Sequence, residues 1–240
     1  PEPVTTEEAT SPTAEKDTAE KETAEEDTAE KKDAQTEEMA TEEASDAAFP
    51  GVPSVLRSAL VRRGFTELTS VQTAAVQNSG EACDLRISSQ TGSGKTVAFG
   101  LAIAPALLEQ TEPGPGPSAM VIVPTRELAA QVKDELSWLF ADVRGVSVDA
   151  VTGGTHVGQE RRRLTRRPKV LVGTPGRLLD HIRSGALDCS KIAQLVLDEA
   201  DQMLDLGFRD ELEAIIEALP VEGRRTHMLS ATFPNAVKRL

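Results

Sequence analysis

Ser89-Gln90-Thr91-Gly92-Ser93-Gly94-Lys95-Thr96 follows a short apolar run and opens a stretch with helical periodicity. Gly92 and Gly94 let the backbone fold around an anion, so that N–H groups and a helix N-terminus face it. Lys95 is placed to reach β- and γ-phosphates, and the Thr96 hydroxyl to ligate Mg²⁺. The segment Gln90, Thr91, Gly92, Ser93, Gly94, Lys95 and Thr96 is therefore a candidate phosphate-binding loop, with Ser89 where the generic pattern has glycine. About a hundred residues on, Val196-Leu197 runs into Asp198-Glu199-Ala200-Asp201. An acid at the end of an apolar strand, beside a phosphate loop, can hold Mg²⁺ directly or through water. Its neighbour Glu199 can then orient and deprotonate an attacking water.

These residues need a scaffold that brings strand ends together. Apolar strand candidates occur at 85–88, Met120 to Val123, Val146 to Val151, Val170 to Gly173, Leu195 to Leu197 and Thr226 to Leu229. Helical patterns such as Val97 to Leu108, Leu128 to Leu139, Gly176 to Ile182 and Phe208 to Leu219 lie between them. Alternation of this kind predicts an α/β fold, a mostly parallel sheet with helices on both faces. Ligands of such sheets sit beyond the carboxyl ends of the strands, where all the motifs fall.

The net charge of −13 is carried by the N-terminal arm alone. Residues 1–50 hold 17 acidic side chains against 4 lysines, leaving 39 − 17 = 22 acidic and 26 − 4 = 22 basic residues elsewhere. The acidic balance therefore does not argue against a nucleic-acid partner. Residues 1–48 nearly lack large apolar side chains, and Thr13-Ala14-Glu15-Lys16-Asp17 recurs imperfectly at Thr18, Thr23 and Thr28. A five-residue period builds no continuous helical face, so the segment reads as a disordered, solvated tail. An acidic arm for protein partners is the alternative. The globular composition begins at Phe49, giving residues 49–240 as the folded domain. Cys83 and Cys189 suit a reducing compartment, and no segment is apolar enough for a membrane span, so the expectation is a cytoplasmic protein. The scattered His156, His181 and His227 show no metal-ligand spacing and read as structural or surface residues. Arg161-Arg162-Arg163 with Arg166-Arg167 reads as a solvated helix face before a nucleic-acid contact.

Asp198-Glu199-Ala200-Asp201 resembles the signature of the DEAD-box RNA helicases. Pro124-Thr125-Arg126-Glu127-Leu128, Gly153-Gly154, Thr174-Pro175-Gly176-Arg177 and Ser230-Ala231-Thr232 are similar to that family's other first-domain motifs, in its order. Upstream, Gly64-Phe65, Thr69 and Gln72, preceded by Phe49, resemble its adenine-recognition motif, although Leu68 and Ser70 stand where prolines are common. The resemblance covers residues 49–240 and implies a RecA-like, ATP-binding first domain. It implies that Gln72 bonds the adenine edge, that Phe65 lies against the base with Phe49 nearby, and that ATP and Mg²⁺ are the cofactors. Lys95, Asp198, Glu199, Ser230 and Thr232 would be catalytic, with Thr96 and Asp198 at the metal. Ser230 and Thr232 would bond towards Asp201 and tie the two sites together. Pro124, Thr125, Arg126, Gly153, Gly154, Thr174, Pro175, Gly176 and Arg177 would contact RNA. They are small hydroxyls, backbone amides and arginines, which suit phosphate and sugar more than bases. The family also implies a second RecA-like domain, beyond Leu240, to complete the site, so this chain alone is expected to bind nucleotide weakly and hydrolyse almost none. A nucleotide-gated RNA clamp and a DNA translocase remain as alternatives on the same fold.

Overall fold

The computed structural model describes residues 46–79, 83–88, 92–109, 114, 116–233 and 237. Ser89, Gln90 and Thr91 of the phosphate loop, and the tail through residue 45, lie outside the described residues. In chain order the elements are α1 (Ser54–Arg62), α2 (Ser70–Ser79), β1 (Arg86–Ser88), α3 (Lys95–Glu109), β2 (Ala119–Ile122), α4 (Arg126–Leu139) and β3 (Val148–Val151). They continue as α5 (Val157–Leu164), β4 (Val170–Gly173), α6 (Pro175–Arg183), β5 (Gln194–Asp198), α7 (Ala200–Asp205), α8 (Arg209–Ala218) and β6 (Arg225–Ser230).

The six strands form one sheet in the order β1-β6-β5-β2-β4-β3, and every neighbouring pair is parallel. Parallel neighbours cannot be joined by hairpins, so each connection crosses a face of the sheet and covers it. That is why β2, β4 and β5 read as unbroken apolar runs and are buried along their whole length. Alternate side chains go to opposite faces. Val121, Val172, Val196 and Leu229 join a cluster with Leu56, Phe99, Val132 and Leu136 from α1, α3 and α4. Met120, Leu171, Leu195, Leu197 and Met228 pack with Leu178, Met203 and Leu212 from α6, α7 and α8. The sheet is thus covered on both faces, as the alternating pattern predicted.

Helix starts lie directly after the strand ends. Thr125 caps α4, its hydroxyl accepting from the Leu128 N–H at 3.2 Å. Pro175 occupies the first turn of α6, where its missing N–H costs nothing. No helix among the described residues is long and apolar enough to cross a membrane.

Candidate functional site

The sheet order sorts the motifs. β1, β6 and β5 stand side by side and end in the phosphate loop, in Ser230-Ala231-Thr232 and in Asp198-Glu199. β2, β4 and β3 form the other half of the sheet. They end in Pro124-Thr125-Arg126, in Thr174-Pro175-Gly176-Arg177 and in Gly153-Gly154. Residues scattered along the chain from the phosphate loop to Thr232 therefore share one rim, divided between β5 and β2.

In the first half, Lys95 opens α3 and is 9% exposed, while Thr96 beside it is half-buried. Asp198, at the last position of β5, is 3% exposed. Burial pushes its carboxyl up to about 6, against the pull of the Lys95 ammonium and with a further push from Glu199. The Glu199 N–H donates to Asp198 Oδ1 at 3.0 Å. Glu199 itself has φ +52° and ψ +50°, left-handed backbone for a non-glycine residue. That conformation costs about 1–2 kcal/mol, and strain of this kind gathers at working sites. It turns the chain sharply from β5 into α7 and leaves Glu199 half-buried at the rim.

Asp201, in the first turn of α7, is tied to the end of β6. Its Oδ2 accepts from the Thr232 N–H at 3.0 Å and the Thr232 hydroxyl at 2.7 Å. Its own N–H donates to Ser230 Oγ at 3.3 Å. Burial alone would raise the Asp201 carboxyl, but the bonds from Thr232 and Ser230 hold it below the ordinary range.

The adenine-motif residues are placed less simply. Gln72 is fully buried, and its amide is engaged at both ends: Oε1 accepts from the Thr69 N–H at 2.9 Å, and Nε2 donates to the Gly94 carbonyl at 3.3 Å. Thr69 Oγ1 also donates to the Ser93 carbonyl at 3.3 Å. This motif is thus fastened to the phosphate loop, whose Gly92 and Gly94 both have positive φ. A Cβ on Gly94 would meet Gln72 Nε2 at 2.5 Å, so only glycine fits that approach. Phe65 turns its ring towards Trp138, with centroids 5.9 Å apart, and the Arg63 guanidinium lies 5.5 Å from the same indole. Phe49, expected near the base, is 1% exposed and packs in the core cluster with Val52 and Leu56.

In the second half a depression of about 430 Å³ is lined by Pro124, Thr125, Arg126, Gly153, Thr174, Gly176 and Arg177, joined by Glu127, Asp180 and Phe208. Of the expected RNA contacts, Gly154 and Pro175 are not among the lining residues, and Pro175 is buried in α6. The exposed Arg126 guanidinium lies over Gly153 and Gly154; a Cβ on Gly154 would meet Nη1 at 1.9 Å. Arg177 is held from behind by Glu160, at 2.8 Å. Glu160 and Phe208 carried no sequence signal, since neither lies in a motif or a metal-ligand spacing. Arg161, Arg162, Arg166 and Arg167 are exposed, whereas Arg163 pairs with Asp149 at 3.5 Å. Among the described residues no group of three or more His, Cys, Asp or Glu forms a metal cluster. His181 and His227 are both buried.

A family model for DEAD/DEAH box helicases matches residues 69–240. The chain belongs to the DEAD/DEAH box helicase family. It is 41% identical over 193 residues to DEAD-box ATP-dependent RNA helicase 9 of Oryza sativa subsp. japonica, a match covering 79% of this chain and 30% of that protein. It is 40% identical over 191 residues to the ATP-dependent RNA helicase DeaD of Escherichia coli, with 79% and 30% covered. The chain thus spans about a third of the length of these relatives. Among solved structures, a DEAD box protein from Methanococcus jannaschii aligns with TM-score 0.70 and 31% identity, over 78% of this chain and 50% of that one. The RNA helicase Prp28 from Chaetomium thermophilum, bound to ADP, aligns with TM-score 0.71 and 36% identity, over 79% and 46%. The fold is accordingly the RecA-like domain of these helicases.

Proposed function

We propose that this chain is the ATP- and RNA-binding first half of an ATP-dependent RNA helicase, which couples ATP hydrolysis to local duplex unwinding or to remodelling of RNA–protein contacts. The observation that carries the reading is the division of one rim into a lysine–carboxylate half, in which Asp201 ties α7 to the end of β6, and an arginine-lined half.

The residues of the first half fit magnesium–ATP. Asp198 and Thr96 offer hard oxygen donors, and burial disfavours the charged Asp198 carboxyl more than Lys95 offsets it, so a cation at its oxygens would be stabilising. Magnesium–ATP supplies the transferable phosphoryl group and a cation that offsets its charge. Lys95 and the N–H groups of the Gly92–Thr96 turn hold the phosphates. Asp198 and Thr96 hold the metal, directly or through water. Glu199, raised at the rim by its left-handed turn, orients the water and takes its proton. Gln72 positions the loop by its bond to the Gly94 carbonyl, and reading of adenine requires its amide to exchange that partner. Arg126, Thr125, Gly153, Thr174 and Gly176 take phosphate and sugar of RNA, giving binding without sequence preference. In this reading a second RecA-like domain completes the site.

ATP turnover by the complete gene product, alone, with RNA and with DNA of the same sequence, tests this. Stimulation by RNA alone, abolished in Glu199→Gln, is the expected outcome. Equal stimulation by DNA would replace the reading with a general translocase, and ATP binding without turnover would replace it with a clamp.

A further inference from the structure

A carboxylate that no motif contains lies at the centre of the arginine-lined half. Glu160, on α5, has no exposed surface. Its Oε1 accepts from the Thr152 N–H at 2.9 Å and from the Thr155 hydroxyl, the two residues that flank Gly153-Gly154. Its Oε2 takes Arg177 Nη1 at 2.8 Å and faces His181 Nε2 at 2.8 Å, both on α6. Arg177 Nη1 also donates to the Thr155 carbonyl at 3.3 Å, closing the link between the two loops. Arg163 stands 3.9 Å from Oε1.

We propose that Glu160 is the positioning residue of the RNA-binding rim, one buried carboxylate whose two oxygens hold the Gly153-Gly154 turn and Arg177 in fixed relation. Isolated, such a charge would be expensive to bury. Here burial does press the carboxyl upward, and the donors from Thr155, His181, Thr152 and Arg177 more than reverse it. A group with that many charge-assisted bonds holds its partners stiffly. The stiffness matters because Arg177 is only 12% exposed and reaches the depression by one edge, while Arg126 lies on the turn itself. Phosphate recognition by a rim of this kind depends on preset donors, since each side chain that must be ordered on binding weakens it. Glu160 acts through Arg177 and the turn, without touching RNA.

This inference rests on the RNA-binding reading above, and its test keeps the two apart. Glutamine at 160 has one acceptor oxygen and one donor nitrogen, so it can serve the Thr152–Thr155 side or the Arg177–His181 side, but not both. Glu160→Gln, Arg177→Gln and the double variant are compared for affinity to a single-stranded oligouridylate and to an ATP analogue. RNA affinity is expected to fall about tenfold in each single variant, the double variant falling no further, while analogue affinity stays within about twofold. Unchanged RNA affinity in Glu160→Gln, or losses that multiply in the double variant, would overturn the proposal. Amide hydrogen exchange at 152–155 and 174–177 decides independently of RNA. Both segments must speed up together in Glu160→Gln, and unchanged exchange would overturn the positioning role even if RNA binds. If the wild-type chain binds no RNA, the functional reading falls, and exchange still decides the positioning role. Should Glu160→Gln not fold, Thr155→Val must speed exchange in 174–177 as well as in 152–155. A change confined to 152–155 would sink the idea.

Discussion

Acid should loosen the strand pair that carries the phosphate loop and Ser230, because of His227. This side chain lies on β6, 3% exposed, between two fixed partners. Its Nδ1 accepts from the Leu85 N–H at 3.3 Å, just before β1, and its Nε2 faces Gln194 Oε1 on β5 at 2.9 Å. One nitrogen accepts and the other donates, which is the neutral ring. A second proton must go to Nδ1 and would cost the Leu85 bond. Burial is the main cause that pushes the imidazole down from 6.5 to about 4, with Arg225 adding to it and Asp84 opposing. The folded value lies below the unfolded one, so the unfolded chain binds the extra proton first, and stability falls as pH drops through 6.5 towards 4. The full shift of 6.5 − 4 corresponds to about 3 kcal/mol, of which about 2 is lost by pH 5. Urea unfolding of the chain at pH 7.5 and pH 5 measures this, with His227→Gln as the reference that subtracts all other titrating groups. The wild type is expected to lose about 2 kcal/mol more than the variant between those pH values. Equal losses in the two proteins would refute the reasoning.

Three further outcomes follow from the site. Gly94→Ala should weaken ATP-analogue binding at least about tenfold, since its Cβ meets the Gln72 amide and its φ of +78° strains any other residue. Gly92→Ala, with φ +82° but nothing near its Cβ, should show the smaller loss of strain alone; isothermal titration of both separates contact from strain. Gly154→Ala should displace the Arg126 guanidinium and lower RNA affinity in a fluorescence-anisotropy titration, while analogue binding holds. Thr232→Val removes the 2.7 Å hydroxyl bond to Asp201, about 1 kcal/mol. RNA stimulation of ATP turnover by the complete gene product should then drop by more than nucleotide affinity does.

The sheet was legible in the sequence because buried parallel strands must be apolar along both faces. Met120 to Val123, Val170 to Gly173 and Leu195 to Leu197 fall within a residue or two of β2, β4 and β5. The order of the strands was not legible, since periodicity says which residues are buried and not which strand lies beside which. Side chains that act across the fold were illegible for the same reason. Glu160 meets Arg177 and His181 from 17 and 21 residues away, and His227 meets Leu85 from 142. The burial of Phe49 was not legible either, because an aromatic upstream of a motif carries no periodic pattern that marks it as core.

The short span from Asp198 to Phe208 gives the two halves of the rim a common mechanical part. Asp198 ends β5, Glu199 turns the chain with left-handed backbone, and Asp201 lies in the first turn of α7. Six residues of helix later the chain reaches Phe208, which lines the depression on the arginine side and is held by its N–H on the Met203 carbonyl at 3.0 Å. One end of this span therefore carries the carboxylates proposed for metal and water, and the other borders the proposed RNA path. Ser230 and Thr232 grip its start from β6, the strand beside the one that feeds the phosphate loop. A shift of α7 by an ångström would alter the Asp201 bonds and the Phe208 wall at once, because Met203 and Ala200 bury the helix against the sheet and leave it little freedom to bend. On the proposed reading, coupling between nucleotide and RNA then needs no long chain of contacts. It needs only that α7 moves as a rigid piece whose position both ligands bias, which is the physical content of coupling between sites.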